Sequence, residues 1–189
     1  MAIKVFRAAD KDMLRALARA GVCTQSHFRS FGNSKGLSQN RMNQHIKDGL
    51  VAKDCYYDKS MDRYADCYVL TKQGMSLAKD RLGINSIYHS NSRVHDLALM
   101  DKYTSLDREE QQSWRTEPDL RQEAHDRFNA LERQRLEERQ MSPPDAVYTS
   151  SEGRVIAYEI VTDNYGRAEI RAKEEFAEAL NIELQTQKI

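Results

Sequence analysis

Two runs rich in β-forming residues, Val51 to Tyr57 and Tyr64 to Thr71, flank the short polar turn DKSMDR, and this pair narrows the fold more than any other stretch. Such a density of Tyr, Val and Cys around a polar connection predicts an antiparallel hairpin with Lys59 and Arg63 in its tip. The flanking segments read as helix. AADKDMLRALARAG puts Met13, Leu14, Leu17 and Ala18 on one face, with Asp10 as the cap and Gly21 as the stop. TQSHFRSF begins on the capping residue Thr24 and turns Phe28 and Phe31 inward, with Val22 packing on Phe28. GNSKG breaks the chain, and LSQNRMNQHIKDGL then opens a third helix capped by Ser38, with Met42, Ile46 and Leu50 facing the core. Beyond the hairpin, TKQGMSLAKDRLG is a helix capped by Thr71. Ser92 to Leu106 is one more, with Val94, Leu97, Ala98 and Met100 at helical period. It is expected to cross to a second unit or to pair with its twin in a dimer.

The outward face of the third helix carries Gln39, Asn40, Asn43, Gln44 and Lys47, and Ser38 and Arg41 join them as candidate contacts. Asn and Gln side chains pair in two-point fashion with adenine edges, and Arg with guanine. A helix surface selected for stability alone would favour Glu and Lys. The charge agrees with a polyanionic partner. Residues 1–105 hold 17 Lys and Arg against 10 Asp and Glu, whereas residues 106–189 hold 12 against 19. A formal net charge of zero thus divides into +7 and −7, which predicts two domains, 1–105 and 106–189, with different partners.

The order helix, helix, helix, hairpin, helix, together with the tract GLVAKDCYY…RYADCYVLTKQGMSLA, resembles the winged helix-turn-helix family. The resemblance implies a third helix lying in the major groove of DNA and a hairpin resting on the backbone or minor groove. The candidate DNA contacts are therefore Ser38, Gln39, Asn40, Arg41, Asn43, Gln44 and Lys47, with Lys59 and Arg63 from the hairpin.

In the second half, SPPDAVYTSSEGRVIAYEIVT reads as two short strands, with Asp145 at the head of one and Glu159 near the end of the other. Glu117 precedes them in SWRTEPDLRQEA. GRAEIRAKEEFAEAL follows as an amphipathic helix with Ile170, Phe176, Ala177 and Leu180 inward, and Ile182 to Thr186 is a last strand. This half resembles the core of the PD-(D/E)xK nuclease fold, which implies that Glu117, Asp145 and Glu159 converge on a divalent cation such as Mg²⁺. The lysine expected two residues after Glu159 is replaced by Val161, so catalysis is not expected, and the three acids are either ordinary solvated or capping carboxylates or a relic metal site. Lys173 or Arg167, on the following helix, would have to move into that gap to replace it. The charged stretch Gln122 to Gln140, with Phe128, Leu131 and Leu136 among its charges, reads as a solvated helix or an arm that orders on a partner.

Taken whole, the chain is similar to the replication-relaxation family of phages, plasmids and conjugative elements, which joins a winged helix to a nuclease-like domain. The expected fold class is α+β: a winged helix-turn-helix followed by a small α/β domain of restriction-endonuclease type. The implied function is sequence-specific binding of double-stranded DNA in mobilisation, replication or transcriptional control, by a homodimer whose partners include a relaxase, a replication protein or RNA polymerase. Two other classes stand beside it. One is a metal-dependent endonuclease using Glu117, Asp145 and Glu159. The other is a protein-interaction module such as a phage-encoded inhibitor. No apolar run is long enough to span a bilayer, and the first residues lack a signal-peptide pattern, so a cytoplasmic protein is expected with Cys23, Cys55 and Cys67 reduced. His95 is read as a structural hydrogen-bonder, and the remaining histidines lack metal-ligand spacing.

Overall fold

The computed structural model describes residues 6–32 and 34–189. Residues 1–5 of the leader reading and Asn33 of the GNSKG break lie outside the described residues. Among the described residues the fold is mixed α and β, with two sheets, and the chain separates into two compact units, 1–105 and 106–189. No helix among the described residues is long and apolar enough to cross a membrane.

The first unit runs α1 (Ala8–Ala20), β1 (Val22–Cys23), α2 (Gln25–Ser30), α3 (Lys35–Lys47), β2 (Val51–Asp58), β3 (Arg63–Leu70), α4 (Lys72–Leu82) and α5 (Arg93–Ser105). Met13, Leu14, Leu17 and Ala18 bury one face of α1, and Ala16 and Ala20 widen it so that α5 packs closely against it. Gly21 ends α1 at φ 84°, in the left-handed region, where a Cβ would also stand 2.8 Å from Asp96 Oδ2. Asp10 is not the cap: Arg7 holds that position, and the Asp10 carboxylate one turn in accepts the Arg7 N–H at 2.8 Å. α2 starts at Thr24 as expected and buries Phe28, but Phe31 closes the helix and is only half-buried. β2 and β3 pair from Val51↔Leu70 to Asp58↔Arg63. The unexpected strand β1 adds Val22 and Cys23 to the other edge of β3, giving sheet order β1-β3-β2. Thr71 caps α4 by accepting the Gly74 N–H. α5 is buried over His95 to Met100 and at Tyr103, and packs on α1, α2, β1 and β2 of its own unit. Val94, predicted inward, is 41% exposed. His95 is buried, with its Nδ1 3.5 Å from the Tyr88 hydroxyl.

The second unit runs α6 (Arg108–Ser113), β4 (Arg115–Thr116), α7 (Glu117–Arg127), α8 (Ala130–Glu137), β5 (Ala146–Thr149), β6 (Val155–Val161), α9 (Arg167–Leu180) and β7 (Glu183–Lys188). Its sheet order is β4-β5-β6-β7. The first three strands are antiparallel, and β6 pairs with β7 in parallel because α9 carries the chain back across. Leu120, Ala124, Phe128, Met141, Val147, Ala157, Phe176 and Ala177 form the core. Half of the charged stretch therefore belongs to the fold: Phe128 sits 5.6 Å from the Phe176 ring, whereas Leu131 is 66% exposed.

Candidate nucleic-acid interface

α3 begins earlier than the sequence predicts. Ser34 is its N-cap and accepts the Leu37 N–H, so Ser38 lies one turn inside the helix. There Ser38 is fully buried, accepting from Gln25 Nε2 at 2.7 Å and donating to Lys35 O at 2.9 Å. It fastens α2 to α3 and neither caps the helix nor faces solvent. Met42 and His45 complete the buried face, and Ile46, expected beside them, is half-buried.

Arg41 is likewise turned inward. Its side chain is 16% exposed, its Nε donates to Asp10 Oδ1 at 3.0 Å, and its Nη2 donates to Asp10 Oδ2. His45 Nε2 stands 3.0 Å from Asp10 Oδ1, and its ring lies between Phe6 and Phe28. Burial alone would raise the Asp10 pKa. The hydrogen bonds from His45, Arg41 and the Arg7 N–H outweigh it and hold the carboxyl well below the usual carboxylate range. The guanidinium predicted to read a base instead locks α3 to the start of α1, which corrects that assignment. The signal missed in the sequence is the apolar face of α1, which carries Asp10 inward with Met13 and Leu14.

What remains outward on α3 is a continuous stripe. Gln39, Asn40, Asn43 and Lys47 are exposed, and Gln44 is half-buried with its amide donating to Asp48 at 2.9 Å. Gln39 Nε2 lies 3.3 Å from Asn43 Oδ1. Lys59 in the turn and Arg63 at the start of β3 are both exposed.

The second unit brings Asp145 and Glu159 together, and Lys173 with them. Asp145 N–H donates to Glu159 Oε2 at 2.8 Å, and Ile160 N–H donates to Asp145 Oδ2 at 2.8 Å. Tyr165 donates its hydroxyl to Glu159 Oε1 at 2.8 Å, and Lys173 Nζ stands 3.1 Å from the same oxygen while donating to Pro143 O at 2.6 Å. Asp145, Glu159 and Lys173 are all buried. Burial and the neighbouring Asp145 carboxylate push Glu159 up to about 7 against the pull of Lys173 and Tyr165. Burial and the Glu159 carboxylate push the Tyr165 phenol well above its usual range. A cavity of about 850 Å³, bordered by Lys173, Tyr165, Met141 and Ser142, lies alongside. Val161, at the position expected for lysine, is half-buried, and Arg167 is exposed in the first turn of α9.

Glu117 stands apart in its chemistry. Its backbone N–H donates to Asp145 O at 3.2 Å, but its carboxylate accepts from Arg121 at 2.6 and 3.0 Å. Divalent cations need open carboxylate oxygens converging on one point. Here both Glu159 oxygens are taken by protein donors, and among the described residues no group of three His, Cys, Asp or Glu stands close enough to hold an ion. The donor set as arranged does not fit the cation that the nuclease resemblance implies.

Comparison with known proteins gives no match to a family model, to a curated protein or to a solved structure.

Proposed function

We propose that this protein binds double-stranded DNA through α3, as a winged helix-turn-helix in which the β2–β3 hairpin is the wing. The observation that carries the proposal is the exposed stripe Gln39, Asn40, Asn43 and Lys47 on a helix whose opposite face is pinned by Ser38, Met42 and His45. Amide side chains presented on a rigid helix suit base-edge readout, and the +7 charge of residues 1–105 supplies long-range attraction to phosphates. The second unit is read as a nuclease-like domain whose acids are held by internal bonds, so it serves assembly rather than cleavage. On this reading the protein acts as a homodimer of the replication-relaxation type, in the mobilisation, replication or transcription of a mobile element, with a relaxase, replication protein or RNA polymerase as partner.

Retention of a random duplex on a gel at increasing KCl tests the proposal. Salt-sensitive retention is expected, and Lys47→Ala should lower the slope of log affinity against log salt by about one. A protein-interaction module would give no salt-sensitive retention. The competing reading is a metal-dependent endonuclease, in which the Lys173 ammonium beside Glu159 would replace the lysine absent at Val161 and the acids would have to release their internal bonds to take a cation. Incubation of supercoiled plasmid with Mg²⁺ or Mn²⁺ decides between them, since cleavage lost in Asp145→Ala and Glu159→Ala would establish the enzyme.

A further inference from the structure

Three large apolar side chains stand exposed at the end of the β2–β3 hairpin: Tyr64 at 73%, Met61 at 57% and Tyr57 at 42%. Apolar groups clustered at a protruding tip need a reason, because leaving them in water gains nothing for the fold. The tip is also built to hold its shape. Tyr57 and Tyr64 face each other across the strands with ring centroids 5.5 Å apart. The Asp58 carboxylate accepts from Ser60 N–H at 2.9 Å, Ser60 Oγ at 2.6 Å and Met61 N–H at 3.3 Å. Asp62 takes the left-handed conformation that closes the turn, and its carboxylate accepts the Tyr57 hydroxyl.

Charge indicates the occupant. The hairpin's four carboxylates are each engaged locally: Asp54 by Arg93, Asp58 by the turn, Asp62 by Tyr57 and Asp66 by Lys53. Lys59 and Arg63 flank the apolar tip and are exposed, and the Arg63 guanidinium lies 3.1 Å from Met61 Sδ. The strand face bearing Tyr57 and Tyr64 runs back through Lys53 to the buried Tyr68.

We infer that the hairpin tip is a wedge for the DNA minor groove: Met61 and Tyr64 press on the sugar edges and base steps beside the site read by α3, and bend the duplex there. The inference rests on the DNA-binding reading and adds what the hairpin does to the DNA. Apolar side chains inserted at a groove floor unstack base steps, while flanking cations hold the phosphates on either side.

The test uses the full chain and a mixed-sequence duplex of about 30 base pairs with a fluorophore at each end, a span long enough for a bend to shorten the end-to-end distance. Wild type should raise energy transfer between the ends on binding. Met61→Ala and Tyr64→Ala should each weaken binding about tenfold, leave the salt slope unchanged and return energy transfer to that of the free duplex. Both sites are solvent-exposed, and circular dichroism should show unaltered folds. Unchanged affinity and bend in the variants would overturn the wedge, as would a lowered salt slope. So would loss of self-association with DNA binding intact, which would make the tip a contact between copies. If wild type fails to retain duplex even at low salt, it is the DNA-binding reading that fails.

Discussion

Removal of the Asp10 carboxylate probes how the helix proposed to read DNA is held. Asp10 is 1% exposed and accepts from Arg7 N–H, from Nε and Nη2 of the Arg41 guanidinium and from His45 Nε2. Asp10→Ala takes from a mostly buried guanidinium and a buried imidazole the carboxylate they share. Truncating one partner of a buried pair costs about 3–5 kcal/mol, and that range is expected here. Arg41→Ala should cost less, about 2 kcal/mol, because Asp10 keeps His45 and the Arg7 N–H and because Arg41 is 16% exposed. The double variant should cost little more than Asp10→Ala alone, a coupling of about 1–2 kcal/mol. Urea unfolding followed by circular dichroism reads all three. Because the folded pKa of Asp10 is depressed, its contribution is complete above the ordinary value of 3.8 and is lost as pH falls below it. If Arg41→Ala leaves the unfolding midpoint unchanged yet alters which DNA sequences are bound, Arg41 is not held by Asp10 and belongs on the recognition surface after all.

The remaining predictions concern other parts of the molecule. Glu159 has a folded pKa raised from 4.5 to about 7, so stability of the second unit should fall as pH rises between those values and level off above. The loss is about 3 kcal/mol and should vanish in Glu159→Gln; Trp114, the single tryptophan and buried beside Tyr148, reports it by fluorescence. Gly74→Ala should destabilise by about 3 kcal/mol, since its Cβ would lie 2.0 Å from the Leu50 carbonyl oxygen, backbone that cannot move aside. Gly36→Ala, with open space around its Cβ in the first turn of α3, should instead raise the melting temperature, by a gain of about 0.5–1 kcal/mol.

The parts of the fold legible in the sequence were those written locally. Thr24 and Thr71 stand where the structure starts α2 and α4, Gly21 stops α1, and the hairpin begins and ends within a residue of its β-rich runs. Cap chemistry failed where two similar residues competed. Ser34 and Ser38 both suit an N-cap, and Gly36 between them looked like a break, although the first turn of a helix tolerates it. Long-range partners were not legible. β1 is two residues long and exists only because β3 pairs with it, and Asp10 is separated from Arg41 by 31 positions. The same holds for the acid cluster: Asp145 and Glu159 were visible from strand pattern, but which helical cation reaches them depends on the packing of α9, which buries Lys173 and leaves Arg167 in solvent.

The most direct test of the central claim is selection of bound fragments from a random duplex pool by wild type and by Asn40→Ala and Asn43→Ala, whose side chains are exposed on α3 and outside the core. Wild type should enrich a defined sequence, and each variant should lose preference at one or two base positions while keeping its overall affinity for DNA within about tenfold. Enrichment of the same sequence by all three proteins, to the same degree, would contradict the account.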